Sequence, residues 1–126
     1  MPRLVYRSGS ARDDNLTPRP EKDLLGKPGQ APGLSTFRSV ELAVQPGAKA
    51  QVIDLDLLKD PLRPLEDRPE PEGGVEDHVA IAPAQNDGSV DFGLLSEWAA
   101  ARNSGKTHWL TGLVKDALVD SIKRSR

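Results

Sequence analysis

The sequence predicts an α+β domain, a small, largely antiparallel sheet packed against two C-terminal helices, and three observations carry that prediction. Short apolar runs rich in β-branched residues, such as Ala50-Gln51-Val52-Ile53-Asp54-Leu55, recur between glycine- and proline-rich breaks. From Asp91 onward the apolar spacing changes to the helical i, i+3, i+4 pattern. The length of 126 residues gives room for one core and little for a second, so residues 1–126 read as a single domain.

Leu4-Val5-Tyr6 begins the chain as a short strand. Residues 8–32 hold seven prolines or glycines among charged residues, too broken for a helix, and read as a long loop that is either a substrate-facing lid or a mobile excursion. Gly33 to Phe37 is a second strand, and Val40 to Val44 a helical turn before Pro46-Gly47. Ala50 to Leu55 is a candidate central strand. Residues 60–75, with Pro61, Pro64, Pro69 and Pro71 among acids, read as an extended connector. His78 to Ala82 is a half-buried strand, stopped by Pro83 and the Asn86-Asp87-Gly88 turn. Asp91 N-caps a helix carrying Leu94, Leu95, Trp98 and Ala101 on one face, with Asn103-Ser104-Gly105 as its stop. A last helix, from about Thr107 to Lys123, has Leu110, Leu113, Val114, Ala117 and Leu118 on its apolar face.

With two Trp, two Phe and one Tyr, the core must be largely aliphatic, with Trp98 and Trp109 as its aromatic anchors. The absence of cysteine excludes disulfides, zinc–thiolate sites and a cysteine nucleophile, and no metal site is expected. No apolar run approaches the roughly 20 residues of a membrane helix or forms a secretory signal, so a soluble, cytoplasmic protein without a membrane partner is expected. The net charge of −2 conceals a segregation. Residues 1–38 hold seven Lys or Arg against four acids, residues 39–100 four against thirteen, and residues 101–126 six against two. If the basic ends meet, they form a positive groove suited to phosphate; otherwise the segments neutralise one another.

Arg7 projects from the first strand and is the best placed of three arginines, with Arg12 and Arg19, that could grip a phosphate by bidentate hydrogen bonds. Ser35 and Thr36 offer hydroxyls beside it. Gly105-Lys106-Thr107 is not a Walker A motif, because Ala100 stands where that motif requires its first glycine and a helical pattern precedes it. Together with His108 it marks a helix start, where free N–H groups attract an anion or where Thr107 or Ser104 simply caps the helix. His78, beside Glu76 and Asp77, would tend to hold a proton, while His108 at a helix N-terminus would stay neutral and accept one. One acid and one base is what attack of an RNA 2'-hydroxyl on its phosphodiester needs.

The order Tyr6-Arg7-Ser8-Gly9-Ser10, Leu16-Thr17-Pro18-Arg19-Pro20, Gly33-Leu34-Ser35-Thr36 and His78-Val79-Ala80-Ile81-Ala82-Pro83 resembles C-terminal toxin domains of bacterial polymorphic toxin systems, in the group of barnase, EndoU, colicin D and RelE. That resemblance implies a metal-independent, cofactor-free ribonuclease toxin acting on RNA, opposed by a cognate antitoxin or immunity protein. It places Arg7, His78 and the Lys106-Thr107-His108 cluster around the RNA phosphate, and Arg12, Arg19, Ser35 and Thr36, read from their residue types above, are the expected substrate-binding groups beside them. The chain also resembles ADP-ribosyltransferases, which use NAD and present an Arg on the first strand, a Ser-Thr pair on a middle strand and a catalytic Glu; Arg7, Ser35, Thr36 and Glu97 occur in that order. A third reading is non-enzymatic, an adaptor whose acidic centre binds a basic partner.

Overall fold

The computed structural model describes residues 3–20, 23–24, 29–68, 71–102, 104 and 106–124. Six strands, β1 (Leu4–Ser8), β2 (Leu34–Phe37), β3 (Lys49–Asp54), β4 (Leu62–Glu66), β5 (His78–Pro83) and β6 (Leu118–Lys123), form one sheet in the order β4-β5-β2-β1-β3-β6. Every neighbouring pair is antiparallel, as the α+β prediction requires. Among the described residues three α-helices accompany it: the single turn α1 (Val40–Ala43), and α2 (Phe92–Ala100) and α3 (Trp109–Asp116), which pack on the sheet.

Alternation within the strands sends Val5, Leu34, Ile53, Val79 and Ile81 into one core, where Leu95 and Trp98 of α2 and Leu110 and Val114 of α3 meet them. Asp91 caps α2 as the sequence predicts, its Oδ1 accepting the Leu94 N–H at 3.0 Å. Gly33 opens β2 at φ +129, and a Cβ there would stand 2.5 Å from the Ile81 carbonyl oxygen, so only glycine lets β2 lie this close to β5.

Four expectations are corrected. The predicted helix to Lys123 ends at Asp116, and residues 118–123 form edge strand β6, paired from Lys49↔Lys123 to Ile53↔Leu118 with a register shift between Val52 and Ile53. Helical periodicity is a weak prior; here Val119 and Ile122 favour an extended chain, and β6 satisfies backbone groups of β3 that a helix would leave unpaired. The predicted apolar face survives in shorter form, with Leu110, Val114 and Ala117 buried and Leu113 and Leu118 packed against the core from partly buried positions. Within 60–75, Leu62–Glu66 is not connector but edge strand β4, and Pro64 is tolerated because an edge strand has one side free of pairing. β5 is buried at every residue rather than on one face, its His78 side covered as well as its Val79 and Ile81 side. Trp109 is 54% exposed and does not anchor the core, whereas Trp98 is fully buried.

The 8–32 segment is tied down where it is described. Leu16 is fully buried in the core. Thr17 Oγ1 lies 3.2 Å from Thr111 Oγ1, which also accepts the Trp98 indole N–H at 3.0 Å, so one buried polar chain joins this segment to α2 and α3.

Leu110→Ala, which opens a cavity beneath α3, is expected to cost about 2–5 kcal/mol in urea unfolding, whereas Val119→Ala on the exposed edge should stay within about 0.5 kcal/mol of wild type. Equal losses would contradict this placement of the core.

A candidate anion site and a Ser35–His78–Asp67 chain

β1 and β2 share a single register pair, Tyr6↔Phe37. Beyond it, Arg7 bridges them by another route: its Nε donates to the Asn15 carbonyl and its Nη1 to the Ser35 carbonyl, each at 2.6 Å. The acceptors are held independently. Asn15 Nδ2 donates to the Ser8 and Ser10 carbonyls, and Ser35 is fixed by its register with Ala80 of β5.

Burial pushes the Arg7 guanidinium down to about 10; Asp23 partly counters this, and the nearby positive charges of Arg102 and Arg19 reinforce it. Arg7 therefore remains charged at neutral pH in surroundings that favour an added anion. It lines a cleft of about 300 Å³ together with Asn15, Arg19, Ser35, Phe37 and Arg102. Arg19 and Arg7 come from the basic N-terminal segment and Arg102 from the basic C-terminal one, so the two ends do meet. Each flanking arginine is oriented: Arg19 bonds Asp23, and Arg102 Nη1 donates to the Asp14 and Thr17 carbonyls at 2.6 Å each.

On the far side of Ser35 a second arrangement follows from strand register. Phe37 lies opposite His78, Glu66 opposite Val79, and Asp67 continues β4 to the level of His78. The Ser35 hydroxyl lies 2.7 Å from His78 Nε2, and His78 Nδ1 lies 2.7 Å from Asp67 Oδ1. Asp67 also accepts the Ala31 N–H at 2.9 Å and the Val75 N–H at 3.0 Å. A carboxylate only accepts, so a ring that donates to Asp67 from Nδ1 and carries no second proton turns the Nε2 lone pair toward the Ser35 hydroxyl. Phe37 meets the His78 ring edge-on at a centroid distance of 5.4 Å.

The predicted residues separate accordingly. Arg7, Arg19 and Ser35 share the cleft, and His78 joins it through Ser35. The carboxylate on His78 is Asp67, not Glu76 or Asp77; Asp77 instead accepts the Ser39 N–H and hydroxyl. Thr36 is fully buried and donates to the Val79 carbonyl, away from the cleft. Arg12 is exposed and does not line the cleft, and Glu97 stands exposed on α2, also outside it.

Lys106, Thr107 and His108 do not line the cleft either. His108, rather than Thr107 or Ser104, N-caps α3 by accepting the Leu110 N–H on Nδ1 at 3.2 Å. Thr107 donates to Asp13 Oδ2, Lys106 is exposed, and Gly105 lies outside the described residues. Sequence reasoning missed Asp67, Asn15, Phe37 and Arg102. Only Arg102 carried a signal, as part of the basic C-terminal segment.

Among the described residues, no group of three or more His, Cys, Asp or Glu side chains could hold a metal ion, and no helix is long and apolar enough to cross a membrane. No family model, curated protein or solved structure matches the chain.

The 13–17 turn that supplies the Asn15 carbonyl is tied to α3 through Asp13, whose carboxyl is held below its ordinary 3.8 first by the bond from Lys115 and then by that from Thr107. A depressed carboxyl favours the folded state above 3.8 and loses that contribution as pH falls through its folded value. Lys115→Ala should move the Asp13 titration, followed by NMR at the carboxyl carbon, upward toward 3.8; an unmoved titration would show that Lys115 is not the main cause.

Proposed function

We propose that the protein is an NAD-consuming transferase of ADP-ribosyltransferase type, with the dinucleotide seated in the Arg7 cleft. The observation that carries this is the meeting of Arg7 from β1 and Ser35 from β2 in one pocket made cationic by Arg19 and Arg102. A pyrophosphate brings two adjacent negative charges, which suits several oriented guanidinium groups around a partly buried cavity. Phe37 adds an aromatic wall for a planar ring such as nicotinamide. The resemblance to ADP-ribosyltransferases supplies this reading with Arg7 and Ser35, but Thr36 and Glu97 take no part in it. The carboxylate that acts on the charge of Arg7 is Asp23.

The ribonuclease reading draws less support from the geometry. Its acid and base would be His78 and His108, yet His108 does not line the cleft that Arg7 and Ser35 share, and its Nδ1 caps a helix. RNA cleavage therefore becomes an outcome of the test. Purified protein given NAD should release nicotinamide, measured chromatographically, and Arg7→Ala should slow release about 10- to 100-fold, the scale of losing charge-assisted hydrogen bonds. RNA cut in the presence of a chelator to 2',3'-cyclic phosphate ends, with NAD untouched, would decide for the ribonuclease. Neither activity, with tight binding of a basic protein, would decide for the adaptor.

A further inference from the structure

Ser35, His78 and Asp67 have the connectivity of a nucleophile, its base and the group that orients the base, and neither toxin resemblance requires it. Both hydrogen bonds are 2.7 Å long. The base and its orienter are almost wholly removed from water, at 2% and 7% exposure, whereas Ser35 is only partly buried and is one of the residues that line the cleft. A purely structural serine could satisfy its hydroxyl on a backbone carbonyl, as Thr36 next to it does. Ser35 instead faces an imidazole whose other ring nitrogen meets a carboxyl group that is itself fixed by two backbone N–H groups. The Arg7 guanidinium is bonded to the Ser35 carbonyl, so the cation that would hold a phosphate is anchored on the same residue as the hydroxyl.

We propose that Ser35 is a covalent nucleophile, activated by His78 and oriented through Asp67, that attacks the electrophilic carbon of the phosphate-bearing ligand in the arginine cleft. The identity of that carbon rests on the NAD reading, under which it is the ribose carbon joined to nicotinamide. In the first step the Ser35 hydroxyl proton passes to His78 Nε2, the Oγ–carbon bond forms, and the carbon–nitrogen bond breaks with its electron pair leaving on neutral nicotinamide. The imidazolium then returns its proton to solvent. In the second step an acceptor hydroxyl, water included, gives its proton to His78 as its oxygen bonds the same carbon, and the Ser35–carbon bond breaks. Ser35 Oγ recovers a proton from His78, so the enzyme is regenerated.

A fluorophosphonate probe reads the nucleophile without NAD, since attack by Ser35 expels fluoride and leaves a phosphonyl group that peptide mass spectrometry locates. Wild-type protein is expected to be labelled at Ser35, Ser35→Ala to lose that label, and His78→Gln and Asp67→Asn to label at least about 10-fold more slowly, given the size of general-base effects. Circular dichroism and thermal melting establish that each variant is folded. Should the buried variants unfold, the wild-type label still decides, because Ser35 must react far faster than the exposed Ser10 of the same molecule. Absence of a Ser35 label, or labelling of folded protein that ignores His78, overturns the proposal. Nicotinamide release without labelling also overturns it but leaves the transferase reading intact; Ser35 labelling without NAD turnover upholds the nucleophile and removes NAD as its electrophile.

Discussion

A guanidinium partly withdrawn from water, with two backbone carbonyls as its hydrogen-bond partners among the described residues, is the constraint around which this site is arranged. A buried charge without compensation costs several kcal/mol, so every acceptor around Arg7 must be held rigidly. Asn15 is held by its own side chain on β1, and its turn is held by Arg102, Thr107 and Lys115 from the C-terminal part of the chain. The Trp98–Thr111–Thr17 chain then ties that turn to both helices. First strand, loop and last helix are thus interlocked through one cation. What the carbonyls and Asp23 leave uncompensated is the potential that makes the cleft receptive to an anion.

The sheet makes the Ser35–His78–Asp67 chain without special loops. Three adjacent strands, β4, β5 and β2, run antiparallel, and matched register sets Asp67, His78 and Phe37 level with one another, with Ser35 two residues farther along β2. A one-residue slip of β5 would send His78 to the other face and break both bonds. The fully buried β5 resists such a slip, because Val79 and Ile81 would then leave the core. The stability of the central sheet and the geometry of the candidate nucleophile therefore rest on the same register.

How much of this was legible in the sequence depended on whether local pattern or remote pairing decided the outcome. β1, β2, β3 and β5 announced themselves by short β-branched runs between breakers, and α2 by its Asp91 cap. Residues 118–123 read as helix because Leu118, Ser121 and Ile122 fit a helical spacing, and only the open side of β3 reveals why they extend. β4 was hidden by Pro64, whose tolerance depends on lying at an edge. Of the site, Arg7, Arg19 and Ser35 could be read because each stands in a short distinctive string. Asp67 could not: it is one acid among many in a proline-rich stretch, and its partner lies eleven residues on, across a turn.

On the proposed reading, the charge map suits a small ligand better than a polymer. A polyanion must lie along an extended basic face, releasing counterions over many phosphates. Here acids outnumber Lys and Arg over the whole chain, for a net charge of −2, while Arg7, Arg19 and Arg102 line one cleft of about 300 Å³. Beyond roughly 10 Å, the screening length at moderate salt, an approaching anion meets little attraction; only a group small enough to enter the cleft comes close to Arg7, Arg19 and Arg102 together. On the proposed reading, selectivity for compact phosphorylated molecules would follow from where the cations sit rather than from how many the chain carries.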